Sequence, residues 1–218
     1  MDFDLSPDQV ELRGAAADLL DGLASPERLR AFVGPGTGRL EARTQAAGAT
    51  AGSGDGFDRL LWEGMADQGW LAVERPEDEG GLGLGMVEVA VLCEELGRHA
   101  APAPFVGSIL CLGAMQEAAD DDSLAPRTRE DAAGWTARLA TGEAVGCVAW
   151  SADPDAITAR SGDGWWWLSG CPEPTQYASV ADVAVVIAAD GLFSVALDEG
   201  GRPPPEPAMD PTRPLAWL

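Results

Sequence analysis

Residues 76–85 read PEDEGGLGLG, with glycine at four of the six positions from Gly80 to Gly85. A run this dense in glycine lets a backbone approach a phosphate closely, so nucleotide binding is the first chemistry it suggests. The spacing argues against it. From Gly81 the third glycine of a G-x-G-x-x-G fingerprint would be Met86, and from Gly83 it would be Glu88. No βαβ pattern surrounds the run, and Glu77, Asp78 and Glu79 in front of it would repel a pyrophosphate. A tight turn that lets a buried helix begin close to its neighbours is the expected role.

Other residue types exclude further chemistry. All 14 basic residues are arginines, which removes a lysine P-loop, a lysine Schiff base and a kinase-type lysine together. The one histidine, His99, follows Gly97-Arg98 at a helix end, where an imidazole meets free carbonyls, so a capping role is expected. Cys93, Cys111, Cys147 and Cys171 form no C-x-x-C pair and, with one histidine, no zinc constellation; they are read as buried thiols and no metal site is expected. With 36 acids against 14 basic residues the chain carries a net charge of −22, which disfavours nucleic acid and anionic membrane surfaces as partners. No apolar run reaches the ~18 residues that span a bilayer, and the acidic start MDFDLSPDQ lacks the basic opening of a signal peptide. A cytoplasmic location is the expectation.

The elements that must carry these residues change character along the chain. Ser6-Pro7-Asp8-Gln9 is a capping box with proline at the first helical position, and Leu12, Ala15, Ala16, Leu19, Leu20 and Leu23 follow at helical spacing. Ser25-Pro26-Glu27 opens a shorter helix ending near Val33. Residues 34–56 are rich in Gly, Ala and Thr and read as a flexible loop. Phe57, Leu60, Leu61, Gly64 and Met65 resume the helical period, with Gly69 placed to end that helix. After the glycine run, Met86, Val89, Ala90, Cys93 and Leu96 form an apolar stripe that Val87 and Val91 widen, which predicts a largely buried helix. Phe105, Ile109, Leu112 and Met115 predict another helix, and a last one is expected from about Arg127 to Leu139 with Trp135 packed inward.

Beyond Gly142 the runs are short and β-rich: Val145–Trp150, Ile157–Arg160, Trp165–Ser169, Val183–Ala189 and Leu192–Leu197, separated by Gly, Pro and Asp. With no helix between them, antiparallel pairing is expected. On this strand Trp165 and Trp167 must face opposite to Trp166, one face being core and the other an exposed patch. The fold class is therefore α+β: an all-α domain over 1–140 followed by a partial antiparallel β domain over 141–218.

These residues also carry a resemblance. GWLAVERPEDEGGLGLGMVEVAVLCEELGRHAAPAPF resembles the helical N-terminal domain of acyl-CoA dehydrogenases, and MDFDLSPDQVELRGAAADLL is similar to their first helix. ATGEAVGCVAWS, DGWWWLSG, ADVAVVIA and MDPTRPLAWL resemble elements of the family's middle β domain, in the same order. The resemblance implies FAD-dependent α,β-dehydrogenation of an acyl thioester, in lipid metabolism: a carboxylate base removes the α-proton while the flavin takes the β-hydride. It implies a substrate that is an acyl-CoA or an acyl-carrier thioester. The family's glutamate base lies in a C-terminal helical domain beyond Leu218, so Glu94 and Glu95, at the EELG position, are read as structural anchors and no catalytic residue is assigned.

The family's flavin-contacting lysine, aromatic and hydroxyl positions fall here on Pro172, Pro174 and Gln176, and prolines offer no ladder donor and no stacking ring. Gln176, Thr175 by a one-residue slip, and Ser151 are the cofactor-binding candidates that the resemblance implies. The expected role is a shortened or non-catalytic subunit, inactive alone, in a hetero-oligomer with a second acyl-CoA dehydrogenase-like chain. The alternative is a cofactor-free structural or regulatory interaction module derived from that fold.

Overall fold

The computed structural model describes residues 4–34, 56–162, 165–198 and 200–218. The chain divides into two compact units, Met1–Ala103 and Pro104–Leu218. The first unit holds α1 (Pro7–Leu23), α2 (Pro26–Val33), α3 (Arg59–Asp67) and α4 (Met86–Arg98), with two short 3₁₀ turns between α3 and α4. The predicted capping box of α1 is formed in both directions: Gln9 N–H donates to Ser6 Oγ at 3.2 Å and Ser6 N–H to Gln9 Oε1 at 2.9 Å. Ser25 and Asp58 cap α2 and α3 in one direction only, their side chains accepting from Arg28 N–H and Leu61 N–H, and Gly69 takes the left-handed conformation, φ 75°, just past α3. The loop expected over 34–56 falls, but for its two ends, outside the described residues.

Leu20, Leu61, Met65, Leu71 and Leu92 form the fully buried centre of this unit. Gly64 lets α3 approach α1, since a Cβ there would lie 2.7 Å from Leu23 Cδ1. The register of α4 differs from the predicted stripe. Its buried face is Val89, Val91, Leu92, Glu95 and Leu96, whereas Met86 and Val87 are 65% and 52% exposed. The cause lies at the helix start: Glu88 bonds back to Gly85 N–H and across to Gln9 of α1. That tether turns the first-turn apolar residues outward.

The second unit begins with α5 (Phe105–Asp120) and α6 (Pro126–Ala140), which pack against each other, and α5 lies on β1 (Gly146–Ala149). The compact units thus divide well before the change from helical to strand period near residue 140, because these two helices share a core with the sheet. Phe105, Ile109, Leu112 and Met115 are all buried as predicted. Trp135 is only half-buried, its ring covered by the Arg138 guanidinium at 4.6 Å. Small residues set the helix-to-strand distance: Ser108 Oγ both donates to the Gly146 carbonyl at 3.3 Å and accepts from Gly146 N–H at 3.1 Å. A Cβ at Gly146 would meet Cys111 Cβ at 2.6 Å.

The strands are β2 (Ile157–Gly162), β3 (Trp165–Gly170), β4 (Thr175–Gln176), β5 (Val183–Ala188), β6 (Gly191–Ala196) and β7 (Leu215–Ala216). They form a three-stranded sheet, β1-β5-β6, and two pairs, β2–β3 and β4–β7. All pairings are antiparallel except β1–β5, which is parallel. The segment between β1 and β5, which carries the β2–β3 pair and β4, supplies the long crossover that a parallel pair requires. The two-residue strands β4 and β7 are too short to show a period and were not predicted. The alternation expected for the tryptophans does not sort them into core and surface: Trp165, Trp166 and Trp167 are 69%, 59% and 52% exposed. The pair they belong to has only two strands, so neither face is fully covered.

Candidate functional site

Two segments could present polar groups to a ligand, the glycine turn of the first unit and the loop around β4 in the second. In the glycine turn the backbone donors are already used. Gly80 N–H donates to the Glu77 carbonyl at 3.0 Å, Gly81 to Pro76 at 3.0 Å and Leu82 to Ala72 at 3.2 Å; Gly83 donates to Arg75 at 2.8 Å and Leu84 to Val73 at 2.9 Å. Gly85 N–H donates to Glu88 Oε2 at 2.9 Å. No amide of the run is left to face an anion. The Gln9 side chain, and then the Gly85 amide, hold the Glu88 carboxyl below its usual range. Glycine is required at position 81 because a Cβ there would lie 2.1 Å from the Arg75 carbonyl oxygen. The turn is a structural knot, as its acids and spacing implied.

At the other candidate, Glu173 N–H donates to the Trp150 carbonyl at 2.7 Å. That bond draws the loop before β4 to the end of β1, and so brings Ser151 and Thr175 onto adjoining segments. Thr175 is 4% exposed, and its hydroxyl donates to the Glu173 carbonyl at 3.1 Å. Ser151 is half-buried, with Oγ accepting from Asp153 N–H at 3.2 Å. Gln176 is exposed, pairs with Leu215 through its backbone, and has no side-chain partner among the described residues. Pro172 is buried and Pro174 half-buried, while Glu173, Asp153 and Asp155 are exposed.

This donor set does not fit a flavin. The buried hydroxyl of Thr175 is satisfied within its own loop, two positions carry proline, and the charges exposed on the loop itself and after Ser151 are the carboxylates Glu173, Asp153 and Asp155, which disfavour an anionic cofactor. Two aromatic side chains beside β4 were not singled out in the sequence. Trp150 and Trp217 are 51% and 48% exposed; one precedes Ser151, and the other follows Ala216, the pairing partner of Thr175. No periodicity marks them, because each sits at the end of a short strand.

The remaining candidates have structural duties. Glu95, 5% exposed, is ion-paired to Arg98 Nε at 3.3 Å, and the exposed Glu94 pairs with the same guanidinium. His99 is the C-cap of α4; its Nδ1 lies 2.8 Å from the Glu95 carbonyl and its Nε2 3.2 Å from Asp21 Oδ1. Burial pushes the Cys111 and Cys147 thiols up to about 12 and raises that of Cys93. Cys171 departs from the expectation of a buried thiol. It is exposed, because it lies on the surface loop that follows β3. Among the described residues no His, Cys, Asp and Glu groups assemble a metal site.

An apolar cleft of about 210 Å³ lies between the β1-β5-β6 sheet and the β2–β3 pair. Ile157 and Leu168 line it from the pair, and Ala149, Val186 and Val195 from the sheet, with Leu218 beside them. None of its described lining residues carries an ionisable side chain, so this lining is suited to burying apolar groups and not to proton transfer.

Comparison with known proteins agrees with this architecture. Residues 40–123 match the family model described as acyl-CoA dehydrogenase, N-terminal domain. The chain is 31% identical over 174 residues to acyl-CoA dehydrogenase IpdE2 of Mycobacterium tuberculosis, covering 79% of this chain and 44% of that one. A crystal structure of the ChsE4-ChsE5 complex from Mycobacterium tuberculosis superposes with a TM-score of 0.64 at 24% identity, over 90% of this chain and 49% of that one. A Tcur3481-Tcur3483 steroid ACAD variant gives 0.67 at 24% identity, over 97% and 54%. The chain thus spans about half the length of the curated relatives it matches.

Proposed function

The chain belongs to the acyl-CoA dehydrogenase family, and we propose that it is a subunit of an assembly that carries out FAD-dependent α,β-dehydrogenation of acyl thioesters. In this reading the carboxylate base and most of the flavin-holding groups come from outside these 218 residues, supplied by a second acyl-CoA dehydrogenase-like chain. The observation that carries it is the contrast between a retained frame and a closed loop. The EELG helix is intact, with buried Glu95 ion-paired to the exposed Arg98 of the next turn, while the Thr175 hydroxyl is turned onto the Glu173 carbonyl between two prolines. Solved relatives named as two-component complexes support a partner of the same family. The charge of −22 supports it too, since CoA, carrier-bound phosphopantetheine and FAD are anionic and need cations from elsewhere.

The substrate of the assembly is an acyl-CoA or an acyl-carrier thioester. We place the chain in the cytoplasm: four free cysteines suit a reducing compartment, and among the described residues no helix is long and apolar enough to cross a membrane. The second reading, a cofactor-free interaction module, draws on the same closed loop.

Co-purification of the untagged native assembly, with its visible spectrum and subunit masses, tests both. The expected result is a yellow complex containing a second chain of this family. A colourless complex with such a partner would favour the interaction module, and a yellow species made of this chain alone would overturn the need for a partner.

A further inference from the structure

Strand β6 is the outermost strand of its sheet, with β5 as its neighbour on one side and none on the other among the described residues. Its sequence, GLFSVA, carries no charge. Its side chains alternate in position. Phe193 turns inward to meet the Trp166 ring at 5.1 Å, and Val195 lines the apolar cleft; Leu192 is 61% exposed, and Ser194 and Ala196 are exposed as well. An uncharged edge of this kind is a template for another strand.

Charge decides which strand can add. The exposed acids Asp190 and Asp198 bracket β6 at its two ends. Antiparallel pairing with a second copy, centred on Ser194, would set Asp190 of each copy opposite Asp198 of the other. Like charges directly opposite one another destabilise a ladder, and a shifted register would shorten it. With 36 acids against 14 arginines, repulsion between two copies acts in the same direction.

We infer that the β6 edge accepts an extended segment of a different polypeptide, apolar in its middle and carrying arginine or lysine at both ends. Added along that edge, every second side chain of the segment would extend the apolar wall begun by Phe193 and Val195. The inference rests on the β6 edge, its charges and the cleft, and holds whether or not the assembly binds flavin.

The test is backbone hydrogen exchange of the full chain, alone and with each of two short synthetic peptides of alternating valine and threonine, one lysine-ended and one glutamate-ended. The lysine-ended peptide is expected to slow exchange in residues 191–196 about tenfold while the glutamate-ended one leaves it unchanged. In a double variant, Asp190→Lys with Asp198→Lys, the preference should reverse. Asp190 also accepts from Ala159 N–H, so Asp190→Asn, which keeps an acceptor, serves if the double variant does not fold; it should weaken the discrimination. Equal protection by both peptides, or by neither, would overturn the inference. So would protection that rises with protein concentration in the absence of peptide, because the occupant would then be a second copy.

Discussion

The turn from Gly80 to Gly85 and the loop from Cys171 to Gln176 both stand where a ligand contact would be sought, and they lose that capacity by different routes. In the turn every amide is present and every one is bonded inside the unit. In the loop two prolines remove amides outright, and the hydroxyl beside them is bonded to its own backbone. Glycine density and a hydroxyl at the right place are thus insufficient evidence of a site; what matters is whether the polar groups remain unsatisfied.

The largest effects should come from a glycine inside the turn and from the one that ends β3 just before the loop. Gly170→Ala would set a Cβ 2.0 Å from the Ala156 carbonyl oxygen, at φ +151°, and Gly81→Ala would set one 2.1 Å from that of Arg75. Each is expected to destabilise the protein by more than about 3 kcal/mol, read as a fall in the urea midpoint. Gly80→Ala is the control, because φ is +82° there but nothing lies within 4 Å, and the expected loss is about 1 kcal/mol. Equal losses at positions 80 and 81 would show that conformation, not crowding, fixes the turn.

The next effect separates the surface loop from the core behind it. Cys111 and Cys147 have thiols raised from 9.0 to about 12 by burial. Between these values the unfolded chain releases protons that the folded chain keeps. Their contribution to stability is therefore complete below pH 9 and is lost as pH rises toward 12. The urea midpoint should fall across that window, and Cys111→Ala should flatten the fall. In native protein a thiol reagent should label Cys171 quickly and these two only on unfolding; rapid labelling of all three would mean that the sheet core opens readily.

The smallest effect is the most specific to the β4 loop. Thr175→Val removes one satisfied hydrogen bond and should cost about 1 kcal/mol, with the flavin content of the co-purified assembly unchanged. Loss of flavin at unchanged melting temperature would mean that the hydroxyl turns outward to hold the cofactor, and would erase the contrast between the two regions.

Much of the first unit was legible because its signals are local. Ser6 and Gln9 cap α1, Gly69 ends α3, and His99 closes α4 on the Glu95 carbonyl, each through partners within four residues. The rotation of α4 was not legible, since Gln9 fixes Glu88 from 79 positions away. Of the three candidate cofactor contacts, the resemblance placed Ser151 and Thr175 without showing that one bond, Glu173 to Trp150, brings their segments together. Nor could it show that the same loop turns the Thr175 hydroxyl inward. Trp150 and Trp217 escaped notice because strand-end exposure leaves no period in the sequence.

By itself the sequence determined the helices, the longer strands, their order and the acidic surface, because periodicity, caps and composition act over a few residues or over the whole chain. Tertiary structure alone decided that β1 pairs with β5 in parallel, that α5 and α6 share the sheet's core, that the amides of the turn from Gly80 to Gly85 are all engaged and that β6 has β5 as its one neighbour among the described residues. Each of these depends on which distant backbone groups meet, and hydrogen bonds between distant segments are specified by the packed whole and not by any local pattern.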